Sequence, residues 1–307
     1  MGFEPRTRGT HTLARDLVPI VKGFYDANTC SIQYVVACPA TKRCAIIDPV
    51  LDFDEKSGAT ATRSADAIMA HVTENGLIVE WILDTHPHAD HLSAADYLRQ
   101  RTGARTAIGA NVTEVQKLWK EIYAMADLSC DGSQWDRLFV TGDEFRIGEL
   151  EGRILFSPGH TLASVTYVIG DAAFIHDTLF MPDSGTARAD FPGGSAERLL
   201  DSIMEILSLH DNTRLFTGHD YRPGGRQARW ESSVAEQKAR NIHLASRPTR
   251  AQFVERRRGR DATLPMPRLI LHALQVNIQG GRLPAPDAAG RRHLIFPLDA
   301  LAGPVQP

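Results

Sequence analysis

The chain has 307 residues, 43% of them hydrophobic and 23% charged, with a formal net charge of -3. That composition supports a large globular core and excludes a disordered or fibrous chain. The near-balanced charge gives no electrostatic footprint for nucleic acid or an anionic membrane surface, and no apolar run approaches the roughly 18 residues of a bilayer span.

Residues 1–23 contain no apolar segment of secretory length and read as a loose N-terminal lead-in, with the cytoplasm as the expected compartment. Cys30, Cys38, Cys44 and Cys130 form no CxxC pair, so they read as free thiols in a reducing environment. SIQYVVACP (31–39) and RCAIIDPVL (43–51) read as strands joined by a short polar turn. The polar stretch 52–63 reads as a loop. Ser64 is the expected N-cap of a helix with an apolar face of Ala65, Ile68, Met69 and Val72, closed by Gly76. LIVEWIL (77–83) reads as a buried strand that runs straight into THPHADH (85–91).

LSAADYLRQRTG then reads as a helix closed by Gly103, RTAIGA as a short strand, and NVTEVQKLWKEIYAMA as a helix with Asn111 as its cap. RLFVT, EFRIG and RILFS, parted by Gly-Asp and Glu-Gly turns, have the pattern of a β-meander. SVTYVIGDAAFIHDTLF reads as two strands around the hairpin turn Gly170-Asp171. SAERLLDSIMEILSL (195–209) is an amphipathic helix, and TRLFTGHD a strand ending in a turn. After about residue 246 the chain becomes basic and richer in proline, and Arg256-Arg257-Arg258 reads as a solvated helix face.

The chemistry concentrates in THPHADH. In an extended segment residues i and i+2 share a face, so His86 and His88 point the same way. Asp90 and His91 fall where the chain turns toward the next helix. Three imidazoles and a carboxylate so arranged are a metal-ligand signal. A metal at the end of one strand draws ligands from other strand ends, and three offer them: His160 in SPGHT, Asp177 in IHDT and His219 in TGHDY. For His219, direct ligation and support of a ligand stay open. His176 alternates to the face opposite Asp177 and reads as a packed or supporting histidine.

THPHADH, SPGHT, HDTLF and TGHDY, in that order and spacing, resemble the metallo-β-lactamase superfamily over residues 24–245. The resemblance implies an α/β fold, a four-layer αβ/βα sandwich, with residues 246–307 as a C-terminal extension packed on the catalytic domain. THPHADHLSAADYL, DTLFMPDSGTARADFPGG, GHDYRPGGR, VAEQKARNIHL and MPRLILHALQVNI are similar to the persulfide dioxygenase (glutathione-dependent sulfur dioxygenase) group, in a bacterial subgroup with such a tail. That likeness implies one non-haem Fe(II) per chain on His86, His160 and Asp177, with no catalytic residue beyond these ligands. It implies that His88, Asp90, His91 and His219 occupy a second-metal position left as an outer layer. It also implies glutathione persulfide and O2 as substrates, sulfite and glutathione as products, and Arg188 and Tyr221 as substrate-binding residues. The chain departs from the pattern at His176, where glycine is usual, and at Leu162, where proline is usual.

Two histidines and one carboxylate leave three open positions on an octahedral ion, so that a thiolate and O2 can bind together. The rival is a binuclear zinc hydrolase of the glyoxalase II type, in which Asp177 bridges two ions and a hydroxide attacks a thioester. All seven candidate ligands are present, so their number leaves both open. A non-catalytic metal module would need a closed site, which the glycine-containing loop 183–194 argues against. The apolar LILHALQVNI is compatible with a homodimer.

Overall fold

The computed structural model describes residues 17–301. The strands are Ile20–Tyr25 (β1), Ile32–Ala37 (β2), Arg43–Ile47 (β3), Val50–Asp54 (β4), Ala59–Ala61 (β5), Ile78–Leu83 (β6), Leu92–Ser93 (β7), Arg105–Gly109 (β8), Arg137–Phe139 (β9), Glu144–Ile147 (β10), Leu150–Phe156 (β11), Val165–Ile169 (β12), Ala172–His176 (β13), Arg214–Thr217 (β14) and Glu231–Ser233 (β15). The helices are Arg63–Glu74 (α1), Ala95–Thr102 (α2), Val112–Tyr123 (α3), Ala196–Leu207 (α4), Val234–Arg240 (α5), Arg250–Asp261 (α6) and Ile270–Asn277 (α7).

Two six-stranded sheets form, in the orders β1-β2-β3-β6-β8-β9 and β10-β11-β12-β13-β14-β15. Tyr34, Trp81 and Phe139 from the first and Phe145, Tyr167, Phe174 and Phe216 from the second fill the space between them. The outer face of the first sheet, with Val35, Ile46 and Ile82, is covered by Ile68 and Val72 of α1 and Leu98 of α2. That of the second, with Val168, Ile175 and Leu215, is covered by Leu199, Ile203 and Ile206 of α4. Each strand pair is apolar on both faces because each sheet is sandwiched, which is why β2, β12 and β13 read as continuous apolar runs. The result is the four-layer αβ/βα sandwich.

Several local expectations are corrected. β1 begins inside the stretch read as a lead-in and pairs along its whole length with β2; residues 1–16 of that stretch lie outside the described residues. The loop expected over 52–63 is a hairpin of β4 and β5. Ser64 does not cap α1. Thr62 occupies that position, while Asp52 of the neighbouring strand accepts from Ser64 N–H at 3.1 Å and Ser64 Oγ at 2.9 Å. A tertiary carboxylate has taken the role of a local cap. Asn111 sits at the start of α3 without a capping bond, its amide reaching Leu162 O at 3.4 Å instead. RLFVT does not join the meander: β9 lies parallel to β8 in the first sheet, and the antiparallel meander of the second runs from β10 to β13. Of the three consecutive arginines, Arg256 and Arg258 are exposed but Arg257 is buried and pairs with Asp261 at 2.6 Å.

Among the described residues no helix is long and apolar enough to cross a membrane.

Candidate metal centre

β3 and β6 are parallel neighbours, as are β13 and β14, so their carboxyl ends open on a shared rim. The chain leaves β6 into Thr85-His86, β11 into Pro158-Gly159-His160, β13 into Asp177 and β14 into Gly218-His219. Gly159 has φ 137°, and a Cβ there would stand 2.3 Å from the backbone nitrogen of Leu199 at the start of α4. Only glycine lets the turn that presents His160 lie so close to the helix.

His86, His160 and Asp177 are all buried, and each offers a ligand atom such that the three atoms lie within 4.8 Å of one another. His88, Asp90 and His91 form a second group meeting the same distance. His219 stands between them, with Nδ1 2.6 Å from Asp177 Oδ1 and Nε2 2.8 Å from Asp90 Oδ2. The structure therefore brings together every histidine and carboxylate singled out as a ligand or supporting group. It does not bring in Arg188 by its side chain. That guanidinium is held by Asp190 through two bonds of 2.7 Å and by Pro265 O at 2.6 Å, and packs over Phe191. Tyr221 is exposed and stacks on the His219 ring at 5.6 Å, on the rim of the site.

His176 does not follow the expected alternation. Its φ is 39°, the ladder to β14 shifts register between Phe174 and His176, and its ring lies 5.4 Å from that of His86. The bulge turns the side chain toward the cluster rather than away from it. Its Nε2 bonds Thr178 Oγ1 at 3.0 Å.

The hydrogen bonds fix which nitrogens are free. Thr85 Oγ1 gives its one proton to Asp48 Oδ2 at 2.8 Å, so His86 Nδ1, 3.0 Å away, must donate to that oxygen. His86 Nε2 then carries the lone pair. His160 Nδ1 donates to Arg188 O at 2.9 Å, which leaves its Nε2 lone pair facing Asp177 Oδ2 at 3.5 Å. A backbone carbonyl or carboxylate relay behind a ligating imidazole fixes its tautomer and raises its basicity.

Burial, reinforced by the charge that His88, His160 and His176 would carry, holds His86 well below the ordinary imidazole range. Burial lowers His160 as well, pushes His91 down to about 4 and His176 to about 3. These rings are neutral at pH 7. His88 is the exception: burial opposes its charge, but Asp48, with Oδ1 3.0 Å from Nε2, outweighs it and raises the ring to about 9. That contact is too oblique for a hydrogen bond.

Five buried ring nitrogens of this cluster have no hydrogen-bond partner: His86 Nε2, His88 Nδ1 and Nε2, His91 Nε2 and His176 Nδ1. Buried polar atoms are nearly always satisfied, and the neutral rings among these, His86, His91 and His176, stand with unpaired nitrogens close to carboxylates, which suits a cation; an ion there would also displace the proton that Asp48 favours on His88. The residues present fit a metal ion. They match the model of the metallo-beta-lactamase superfamily over residues 30–219.

The chain belongs to the metallo-beta-lactamase superfamily. It is 70% identical to a beta-lactamase hydrolase-like protein of Xylella fastidiosa, over 93% of this chain and 66% of that protein. It thus spans slightly less than two thirds of that relative's length. It is 43% identical to a protein named glyoxylase B2 of Dictyostelium discoideum, over 92% of this chain and 97% of that one. At 28% identity it matches persulfide dioxygenase ETHE1 of Bos taurus, over 66% of this chain and 68% of that one. The crystal structure of ETHE1 from Myxococcus xanthus superimposes with a TM-score of 0.69 and 31% identity, covering 86% of this chain and all of that one.

Sequence reasoning missed Asp48 and Asp84. Asp48 directly follows β3 with φ 50° and also accepts from Thr85 N–H at 2.7 Å. Asp84 accepts from Ser93 Oγ and Trp135 Nε1, both at 3.1 Å, and burial with the nearby Asp48 charge raises it to about 6. The available signal was a lone acid closing each of two apolar strands, RCAIID and WILD.

One pH effect arises at the loop that carries Arg188. His243 Nδ1 accepts from Thr186 N–H at 3.0 Å, so it must be unprotonated there. Burial, then the charges of Arg257, Arg260 and Arg256, push it down to about 4. Its folded value is depressed, so its contribution is present above the unfolded value near 6.5 and lost as pH falls toward 4. Urea melts between pH 7 and pH 4 are expected to show His243→Gln losing about 2 kcal/mol less than the native chain. Equal losses would contradict the assignment.

Proposed function

We propose that the chain is a non-haem Fe(II) persulfide dioxygenase that oxidises glutathione persulfide with O2, with His86, His160 and Asp177 as the iron ligands. The observation that carries this reading is the set of three converging ligand atoms with a bond behind each: Thr85 and Asp48 behind His86, the Arg188 carbonyl behind His160, and His219 behind Asp177. His219 ties Asp177 to Asp90, an arrangement that orients one carboxylate for one ion. Likeness to the bovine persulfide dioxygenase supports the substrate class.

Bound there, Fe(II) supplies the place where O2 and the substrate sulfur react. The chain's own part is positional. Phe180 and Phe191 pack against the rings of His219 and His160 and keep bulk water from that side. Tyr221, exposed on the rim, is where the thiol carrier would rest. One persulfide, one O2 and one water give one thiol and one sulfite; the terminal sulfur loses four electrons to O2, and its bond to the carrier sulfur breaks.

The second reading is binuclear zinc thioester hydrolysis, favoured by the convergence of His88, Asp90 and His91. Metal analysis of the purified chain, with O2 uptake measured in glutathione plus elemental sulfur, separates the two. About one iron per chain with persulfide-dependent uptake is expected. Two zincs, thioester cleavage and no uptake would overturn the dioxygenase.

A further inference from the structure

We infer that the segment after residue 246 is a positioning element of the metal centre, and that Asn277 sets the geometry of the turn carrying His88 and His91. This rests on the metal reading above. The match to the superfamily model ends at residue 219, so these contacts lie beyond it.

Asn277 ends α7 and is 3% exposed. Its Nδ2 donates to His88 O at 2.8 Å and His91 O at 2.7 Å, while Oδ1 accepts from Ser93 N–H at 2.8 Å. One amide thus spans the turn at three backbone atoms. Ala273 and Val276 of α7 pack in the same cluster as Leu92, Ala94 and Ala95, which seats the helix against the turn. Beyond the helix, Gly281 has φ 79°, and a Cβ there would stand 2.7 Å from Ser93 O, so the chain touches the turn again.

Packing alone does not account for Asn277. A buried amide loses its hydration and is tolerated only where its bonds are made, and all three of these go to the ligand-bearing turn. His86 and His88 have ring centroids 4.1 Å apart, so a displaced turn displaces His86 as well.

α6 makes a parallel contact on the other side. Arg257 Nη1 donates to Thr186 O at 2.9 Å, and its partner Asp261 accepts from Ala189 N–H at 3.0 Å. These bonds bracket Arg188, whose carbonyl oxygen orients His160. The extension therefore holds both loops that face each other across the site.

Co(II) titration of the full chain against a competing chelator tests this. Asn277→Ala is expected to weaken Co(II) binding at least about tenfold and to change the visible absorption of the bound ion. Asn277→Asp keeps the volume and the Ser93 acceptor but has no N–H for the two carbonyls, and the same loss is expected. Gln275→Ala, on the same helix but bonded to Leu271 O and Ile295 O, is expected to keep affinity and spectrum. A purely structural Asn277 would lower the melting temperature of the metal-free chain with affinity and spectrum unchanged, and that result overturns the inference. If Asn277→Ala does not fold, Asn277→Asp decides. If neither folds, amide exchange at Ser93 of the native chain decides: it must slow on Co(II) binding, and unchanged exchange overturns the inference. A native chain that takes up no Co(II) would instead overturn the metal reading, a separate failure.

Discussion

Asp177→Ala is expected to strip the chain of metal and to lower activity by about three orders of magnitude, on the scale of the several kcal/mol that a bound ion supplies to a transition state. Asp177 is the one carboxylate in the group with His86 and His160, and its second oxygen is held by His219 at 2.6 Å. Removing it takes the only anion from that ligand set and leaves His219 with Asp90 alone. Burial opposes charge on His219, while Asp177, Tyr221 and Asp90 raise it, so the loss also lowers this ring toward neutrality. Elemental analysis of the purified variant beside the native chain is the check. Iron retained at the native level would show that Asp177 is not a ligand. Asp177→Asn, which keeps the shape, is expected to fail as well, because a neutral amide oxygen is a weak ligand.

Phe174→Ala is expected to cost about 3–5 kcal/mol, the range for truncating a buried phenylalanine. Phe174 is 1% exposed, stacks on Phe216 at 5.1 Å and meets Tyr34 edge-on at 5.3 Å. It joins the two sheets on the strand that ends at His176, just before Asp177. The neighbouring rings belong to strands fixed in both sheets, so the cavity has little means of collapse. A chain of this size should lose about 5–8 °C in melting temperature. A drop of under about 2 °C would show that the sheets close over the gap. At low temperature the variant is expected to keep its metal, because Phe174 packs on Phe216 and Tyr34 in the core between the sheets; this separates loss of fold from loss of site.

Much of the architecture was legible because it depends on local patterns. The Gly170-Asp171 turn is a hairpin with Ile169 opposite Ala172, as the dipeptide between two apolar runs required. The 3.6-residue spacing of Leu199, Ile203 and Ile206 foretold the buried face of α4. The partition of strands between sheets was not legible. β9 and β10 are separated by a short turn and belong to different sheets, and nothing in RLFVT or EFRIG records which partner each will find. His176 was misplaced for a related reason: alternation assumes an unbroken strand, and the bulge at His176 breaks it.

By itself the sequence determined the set of groups gathered at the strand ends, because ligand chemistry needs particular side chains and their spacing survives in the chain as THPHADH, SPGHT, HDTLF and TGHDY. Only the tertiary structure decided what stands behind those groups. Asp48 reaches Thr85 across 37 residues because β3 and β6 are parallel neighbours, the Arg188 carbonyl reaches His160 across 28, and Asn277 reaches His88 across 189. The physical reason is that a carboxylate, a carbonyl or an amide is common everywhere along a chain. It acquires a role only when nonlocal pairing sets it within hydrogen-bond distance of one particular ring nitrogen or backbone atom.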